Sequence, residues 1–367
     1  MSDEGDVRAA SSRPGEASRG GRILLGHGSG GKLYRDLVRD VFVKAFANPL
    51  LERLDDAVAL APSGRVAFTT DSHVVQPLVF PGGDIGRLSV AGTVNDLATA
   101  AARPLALAAA FIIEEGFAFD ELERICASMA TTAVEAGVPI VTGDTKVVER
   151  GACDGVYITT TGVGEIVVEH ELGALTVRDG DAVILSGGVG DHAVAVLAAR
   201  GDFRFSADVR SDCAPLWGLV AAALDAARDT GGAEALRFLR DPTRGGLTTV
   251  LAELAEEAKL GIEVEEAAIP LSPAVRSVCD LLGYDPLTLA NEGKMVLVVA
   301  PEAADAVVRL GPTGEATEAV AHLDSPYRPA GAEGRPPLLA PVPVWTVLPD
   351  GGIAYSMAVR KSSSRTM

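Results

Sequence analysis

The sequence predicts an α/β (α+β) protein with two domains, and two observations support this fold class. Segments of helical and strand periodicity alternate as far as about residue 310, and the alternation restarts around residues 173–181. The 367 residues, of which 48% are hydrophobic, are enough for two hydrophobic cores. We therefore predict an N-terminal domain over residues 22–172 and a C-terminal domain over residues 173–345.

The N-terminal half begins with a helix from Gly31 to Phe46. Its apolar residues recur at helical spacing, and Leu33 is expected on the same apolar face. The elements that follow are a strand over 65–71, helices over 85–102 and 121–138, a strand over 139–146 that runs into a polar turn, and a strand over 155–167. Gly137 is expected to stop the second of these two helices.

The C-terminal half repeats the alternation of strands and helices. It contains a strand, a glycine turn and a helix over 181–200, then a turn and a helix over 241–260. A strand over 293–300 leads into a helix over 301–310.

Both ends of the chain differ from this patterned part. Residues 1–21 lack the apolar core of a secretory signal and are predicted to be a disordered leader. Beyond about Gly311 the sequence is rich in proline, alanine and glycine, and neither period continues for long. Residues 346–367 are predicted to be an atypical tail with a polar, basic end.

Composition excludes several classes of protein. A formal charge of −18 argues against nucleic acid and anionic membranes, which need clustered cations, although a small anion that brings its own metal ions is compatible with it. The apolar stretch Val90–Ile113 is interrupted by charged residues and a proline, so it is not a membrane span. The four cysteines show no zinc or disulfide spacing, which favours reduced thiols in the cytoplasm.

The stretch "GHGSGGKL" comes close to a nucleotide-binding P-loop. Gly26, Gly31 and Lys32 have the required spacing, but the next residue is Leu33, where the motif needs a Ser or Thr hydroxyl to bind Mg²⁺. The P-loop match therefore fails. Two interpretations of this stretch stay open: a glycine-rich segment that folds over phosphates, and a simple surface loop.

Aspartates recur where strands or turns end, and carboxylates are the ligands that Mg²⁺ prefers. Several of them converging on a triphosphate would form a Mg–nucleotide site, although any single one is as readily a helix cap or turn residue. These aspartates are Asp55, Asp56, Asp71, Asp96 and Asp144.

Seven motifs occur in a fixed order between Ile23 and Leu310: "DDAVAL", "FTTDSH", "TVNDLA", "VTGDTK", "SGGVGDHA", "DPTRGGL" and "NEGK". Together they resemble the HypE family of [NiFe] hydrogenase maturation proteins, in the superfamily of aminoimidazole ribonucleotide synthetase. The resemblance implies an N-terminal domain that dimerises through its sheet and a C-terminal domain that closes over ATP. It also implies that "GHGSGGK" is the mobile N-terminal segment of this family.

The resemblance implies ATP and Mg²⁺ as cofactors and a set of site residues. Asp96, Lys146 and Glu292 would take part in catalysis, Lys146 as a point charge and Glu292 as a proton acceptor. The expected Mg²⁺ ligands are Asp56, Asp71, Asp96 and Asp144. The expected nucleotide-binding residues are these four with Asp241, Thr243, Gly245 and Gly246, next to Arg244. Asn95 is expected either to orient substrate or to serve the structure alone.

The implied activity is the ATP-dependent dehydration of a protein-bound thiocarbamate to a thiocyanate, which supplies cyanide for the hydrogenase iron. The implied partners are a HypF-like carbamoyltransferase, the HypC–HypD complex and a second copy of the chain. The chain departs from the family in ending "RKSSSRTM" without a terminal cysteine, and its last cysteine is Cys279. A shifted reading frame near Gly311 is favoured over a divergent paralogue.

Two alternative functions follow from the same sequence. The first is a non-catalytic, ATP-binding assembly partner of the maturation complex, which the missing terminal cysteine supports. The second is a small-molecule phosphoryl-transfer enzyme such as selenophosphate synthetase, although the glycine-rich N-terminal segment has no cysteine.

Overall fold

The computed structural model describes residues 21–29, 31–54, 57–201, 208–264 and 268–310, with three further strands at 318–326, 343–347 and 353–357. The predicted leader up to residue 20, Asp55–Asp56 and most of the predicted tail lie outside the described residues. Within the described part, no helix is long and apolar enough to cross a membrane.

The N-terminal domain is built on a four-stranded sheet of order β1-β6-β4-β5. β6 pairs antiparallel with both β1 and β4, whereas β4 and β5 are parallel. The strands are β1 (Val66–His73), β4 (Ala102–Glu114), β5 (Ile140–Val148) and β6 (Val156–Ile166), with a small hairpin of β2 (Val79–Phe80) and β3 (Gly83–Asp84). The helices are α1 (Gly31–Leu37), α2 (Lys44–Phe46), α3 (Ile85–Thr99) and α4 (Phe119–Ala136), and a π-helical segment (Val38–Val43) joins the first two.

Among the described residues, two helices cover one face of this sheet and leave the other open. Asp84 caps α3 by accepting a 2.8 Å hydrogen bond from the backbone N–H of Arg87. Gly137 ends α4 in the left-handed region at φ 67°, as predicted. The buried side chains of both helices pack into one core with strands β4 and β6. On the opposite face Phe68 is 71% exposed, and Val66 and Ile112 are exposed as well.

The C-terminal domain has an antiparallel five-stranded sheet with helices on both faces. The strand order is β8-β10-β7-β11-β9, and every residue of the central strands β7 and β10 is buried. The strands are β7 (Ala182–Leu185), β8 (Leu236–Arg240), β9 (Leu260–Val264), β10 (Val296–Val299) and β11 (Glu318–Pro326). The helices are α5 (Asp191–Arg200), α6 (Trp217–Gly231), α7 (Gly246–Ala258), α8 (Pro273–Leu282) and α9 (Pro301–Val308). β12 (Pro343–Val347) and β13 (Ile353–Met357) form a separate hairpin.

Helix α3 belongs to both halves of the molecule. Ala98 at its C-terminal end and Ala101 just beyond it are fully buried in the core that α6 and α9 form on the C-terminal sheet. Nearer its start, Arg87 Nε donates a 2.7 Å hydrogen bond to the backbone oxygen of Cys213. The site described below lies where this helix meets the loops of the C-terminal domain.

Three local expectations were wrong. Leu33 is 45% exposed, because the buried face of its helix is formed by residues further along the helix such as Leu37 and Val41. The "GDTK" motif lies inside β5 and not in a turn after it, since the strand continues to Val148. Beyond Gly311, where neither period was expected to continue for long, strand β11 inserts between β7 and β9.

Candidate functional site

Two aspartates of the N-terminal domain face each other between strand β1 and helix α3. Thr69 Oγ1 donates a 2.9 Å hydrogen bond to Asp96 Oδ2 on the helix. Asp71, two residues further along the strand, lies on the same face of the sheet. A Cβ atom at Gly92 of α3 would be 3.6 Å from Asp71 Oδ2 and 3.0 Å from the His73 ring, so glycine lets the helix approach this strand.

Two acidic residues of the C-terminal domain complete an acid cluster, which we define as Asp71, Asp96, Asp241 and Glu292. Asp241 directly follows β8, and Glu292 precedes β10 in the "NEGK" loop. The backbone N–H of Asn291 and its side-chain amide both donate to the oxygen of Pro242, at 3.1 Å and 3.0 Å. This contact joins the two loops that carry the acids.

Three members of the acid cluster, Asp96, Asp241 and Glu292, have a raised pKa. Burial raises the pKa of Asp96, and the charge of Asp71 raises it further, while the hydrogen bond from Thr69 lowers it. Burial and then the charge of Asp96 raise the pKa of Asp241 to about 6. Burial and then the charge of Asp241 raise the pKa of Glu292 to about 8. Such a site takes up protons or cations near neutral pH.

Positive charge near the cluster comes from two arginines of the "RDPTRGG" segment. Arg240 and Arg244 both lower the pKa of Asp96, which places their guanidinium groups within electrostatic reach of the N-terminal carboxylates. Arg240 also donates a 3.2 Å hydrogen bond to Glu253 on α7.

The loop between β8 and α7 depends on two glycines at the helix start. Gly245 and Gly246 have φ values of 74° and 63°, a region that L-residues rarely adopt. A Cβ at Gly246 would also lie 2.5 Å from the backbone oxygen of Leu287. The backbone N–H of Gly246 donates to the oxygen of Thr243 at 3.1 Å. This turn places Asp241, Thr243 and the first amides of α7 together, as an anion-binding site at a helix start requires.

The acid cluster offers the type of ligand atom that Mg²⁺ prefers, but its described side chains do not form a complete coordination site. Carboxylate oxygens are the donors that Mg²⁺ prefers, and their mutual repulsion would be relieved by a cation. Within the described residues no three His, Cys, Asp or Glu side chains lie close enough to hold a metal ion. Asp56, a predicted ligand, lies outside the described residues.

Asp144 and Lys146 are not part of the acid cluster within one subunit. Lys146 Nζ lies 2.9 Å from Asp144 Oδ2, both side chains are exposed, and the lysine lowers the pKa of the aspartate. The strand register aligns Asp144 with Ala110, Thr159 and Ser72 across the sheet. Aligned residues point to the same face, so Asp144 lies with the exposed Ser72 on the open face, whereas Asp71 lies on the opposite face. Strand β5 is also three strands from β1, about 14 Å at normal strand spacing.

A large cavity lies beside this edge of the sheet. Its volume is about 770 Å³, and it separates the π-helical segment and the loop up to Leu54 from strand β5. Apolar side chains such as Phe42 and Phe111 line one part of it, whereas Asp144 and Arg39 line another. An apolar cavity with a few polar groups is the usual form of a small-molecule site.

Three buried polar residues next to Glu292 were not assigned by the sequence prediction, or were left open by it. These are Asn95, Asp212 and Asn291. The side chain of Asp212 is 3% exposed, and the two asparagines are at most 1% exposed. The position of Asn291 in "NEGK" was the only signal for it, and Asp212 had no signal. The four cysteines are all buried, so none presents a thiol at the surface.

Comparison with known proteins gives the same two-domain fold. Family models described as the N-terminal and C-terminal domains of AIR synthase related proteins match residues 54–166 and 178–315. Carbamoyl dehydratase HypE of Rhizobium leguminosarum bv. viciae is 50% identical over 307 residues, which cover 83% of this chain and 86% of that protein.

Two solved structures resemble the chain closely. A crystal structure of hydrogenase maturation protein HypE in complex with ATP is 42% identical, with a TM-score of 0.79 over 92% of this chain and 98% of that one. A crystal structure of a HypE–HypF complex is also 42% identical, with a TM-score of 0.67 over 78% of this chain and 93% of that one. These similarities confirm the predicted two-domain α/β fold.

Proposed function

This chain belongs to the HypE family of AIR synthase-related proteins, and we propose that it is an ATP-dependent carbamoyl dehydratase of hydrogenase maturation. The observation that carries the proposal is the acid cluster, in which carboxylates from both domains converge and burial raises the pKa of Glu292 to about 8. The sequence-based family assignment is confirmed by the relatives, which are named as dehydratases.

The proposed reaction converts an S-carboxamide on a cysteine to a thiocyanate. In balance, R–S–C(=O)NH₂ and ATP give R–S–C≡N, ADP and phosphate, so the carboxamide oxygen leaves on the phosphate. Glu292 would accept a proton from the carboxamide nitrogen as that oxygen leaves. A raised pKa makes its carboxylate a stronger base than an ordinary glutamate, which suits this role.

The nucleotide phosphates would lie at the acid cluster. Asp71, Asp96 and Asp241 are the described residues that would hold Mg²⁺, together with Asp56. A bound Mg²⁺ would offset the negative charge of the triphosphate during transfer. Thr243 and the amides at Gly245 and Gly246 would contact phosphate oxygens at the start of α7.

A homodimer through the open face of the N-terminal sheet would give Asp144 and Lys146 a role. This face carries exposed apolar side chains, including Phe68, and an apolar face of this kind is typical of an interface. Asp144 and Lys146 share the face and cannot join Asp71 within one subunit. We propose that they act on the nucleotide of the partner subunit, with the adjacent cavity receiving its nucleoside.

The proposed partners follow from the relatives and from the chemistry. A solved complex contains HypE with HypF, so a HypF-like carbamoyltransferase is proposed to supply the carboxamide. The HypC–HypD complex is proposed to accept the cyanide. The chain would bind these partners in the cytoplasm. Its strong negative charge argues against nucleic acid as a further partner.

Neither alternative function is favoured. A selenophosphate synthetase would not be half identical to carbamoyl dehydratases over four-fifths of the chain. The relatives are named as carbamoyl dehydratases, which favours the enzyme over a non-catalytic, ATP-binding assembly partner.

A synthetic S-carbamoyl-cysteine peptide, supplied in trans, tests the function. The purified chain is incubated with the peptide and Mg-ATP, and the peptide mass is followed. We expect a loss of one water, about 18 Da, that depends on both ATP and Mg²⁺. An unchanged peptide, beside a dehydratase relative that converts it, would contradict the proposal.

A further inference from the structure

The backbone of Glu292 is held from both sides by buried side chains. Its N–H donates a 3.2 Å hydrogen bond to Asp212 Oδ1, and its carbonyl oxygen accepts a 3.2 Å hydrogen bond from Asn95 Nδ2. Asp212 belongs to the C-terminal half, whereas Asn95 lies on α3 of the N-terminal half. The peptide that carries the proposed proton acceptor is therefore fixed across the boundary between the two domains.

Asp212 uses both carboxylate oxygens on the "NEGK" loop. The second oxygen accepts a 3.3 Å hydrogen bond from the backbone N–H of Gly293, and Lys294 Nζ lies 3.8 Å from it. The loop approaches so closely that a Cβ at Gly293 would overlap the backbone oxygen of Asp212. Hydrogen bonds from two backbone amides, together with the nearby charge of Lys294, explain how this carboxylate is tolerated in a buried position.

Asn95 uses its whole carboxamide on the C-terminal domain. Besides Glu292, its Nδ2 donates to the oxygen of Ala214 at 3.1 Å, and its Oδ1 accepts from the N–H of Leu216 at 2.8 Å. A carboxamide has two donor hydrogens, and both are directed at the other domain. The next residue along α3 is Asp96, a member of the acid cluster.

We propose that Asn95 and Asp212 are positioning residues that hold Glu292 at a fixed place relative to Asp96 and the bound substrate. The inference rests on the proposed function, since it assigns them to the same reaction. Neither side chain touches the reacting atoms; both act through the backbone of Glu292. Their alignment matters because a displacement of about 1 Å in a catalytic group lowers a rate by about 100-fold.

The substitution Asn95→Leu removes all three hydrogen bonds with little change in size. We expect kcat for the S-carbamoyl peptide to fall by about 100-fold, while the KM for ATP changes by less than about threefold. Asn95→Ser is a milder variant in case the leucine protein folds poorly, and Asp212→Asn tests the other side of the peptide. A fall in ATP affinity with an unchanged kcat would contradict the proposal.

Arg87→Met is the matched control. Arg87 lies on the same helix and donates to the backbone of Cys213, in the same loop as Asp212, but it does not touch Glu292. We expect this variant to lose stability and to keep kcat within about threefold of the wild type. An equal loss of kcat in both variants would mean that general loosening of the domains is responsible, and would overturn the proposal.

A double variant shows whether Asn95 acts through Glu292. In a Glu292→Gln background, Asn95→Leu should cause almost no further loss of kcat, because the group that it positions is gone. A further 100-fold loss would assign Asn95 another role.

Hydrogen exchange separates this inference from the proposed function. In Asn95→Leu, backbone amides of residues 289–296 should exchange at least about tenfold faster than in the wild type, and in Arg87→Met they should not. This result is independent of turnover. If the wild type fails to dehydrate the peptide, the function is wrong, and unchanged exchange in residues 289–296 would still refute the positioning role.

Discussion

Thr69 donates a 2.9 Å hydrogen bond to Asp96, which ties the first strand of the N-terminal sheet to helix α3 at the acid cluster. The bond stabilises the charged form of a buried carboxylate that its neighbour Asp71 would otherwise help to keep protonated. The affinity for Mg-ATP should therefore depend on a threonine that touches no ligand.

Thr69→Val should weaken Mg-ATP binding by at least about tenfold, because a hydrogen bond to a charged group contributes about 1.5–3 kcal/mol. Isothermal titration calorimetry at constant Mg²⁺ measures the change. Thr132→Val is the control, since this buried threonine on α4 donates only to Ser128 of its own helix. Equal affinities for the Thr69 variant and the wild type would show that Asp96 does not hold Mg-ATP.

The stability of the ligand-free protein should fall as pH rises. The folded-state pKa of Glu292 is raised to about 8 from 4.5, so its favourable contribution is complete below about pH 4.5 and is lost as pH rises towards 8. The pKa of Asp241 is raised from 3.8 to about 6, so its stabilising contribution is likewise lost as pH rises towards 6. Urea unfolding between pH 5 and 8.5, without Mg²⁺, should show Glu292→Gln losing less stability than the wild type, by up to a few kcal/mol. Parallel pH profiles for the two proteins would contradict a raised pKa at Glu292.

Gly246→Ala should be far more harmful than an ordinary glycine substitution. The φ of 63° and the backbone oxygen of Leu287, 2.5 Å from the new Cβ, both oppose a side chain there. We expect a loss of about 2–4 kcal/mol in unfolding free energy, together with weaker ATP binding. Gly201→Ala is the control, because its φ is 72° but nothing lies within 4 Å of its Cβ, and it should lose only about 1 kcal/mol. Equal losses would mean that the loop can move away from Leu287.

Phe68→Glu should convert the proposed homodimer to a monomer. It places a charge on an apolar face that the dimer would bury, which is unfavourable for association. Sedimentation at micromolar concentration measures the change, with Val134→Glu as the control, because Val134 is 83% exposed on α4 away from that face. A wild type that sediments as a monomer would refute the dimer and the role of Asp144 in it.

Local patterns predicted much of the fold. The helix that Gly137 ends and the turn at Gly245–Gly246 follow from residue type and periodicity alone, because their determinants are neighbours in the chain. The motifs around Asp71, Asp96 and Asp241 predicted an acidic site from residue type, and the structure places these residues on strand β1, on helix α3 and directly after β8. Their approach to one another could be expected only through a family resemblance, since it depends on how two domains pack.

The sequence could not reveal which side of a sheet a motif occupies. Asp144 was expected to stand with the other aspartates, but a strand alternates its side chains, and the register with Ala110 and Ser72 places Asp144 on the open face. Asp212 was missed because its role is set by backbone amides of Glu292 and Gly293, 80 and 81 residues away. Contacts between residues so far apart in the chain produce no periodic pattern in the sequence.

The most direct test compares kcat for dehydration of the S-carbamoyl peptide in the wild type and in Glu292→Gln at saturating Mg-ATP. We expect a loss of about 100- to 10,000-fold in kcat, the range for a general base, with the Kd of Mg-ATP within about threefold of the wild-type value. A variant that dehydrates the peptide at the wild-type rate would show that Glu292 is not the proton acceptor, and the acid cluster would need another role.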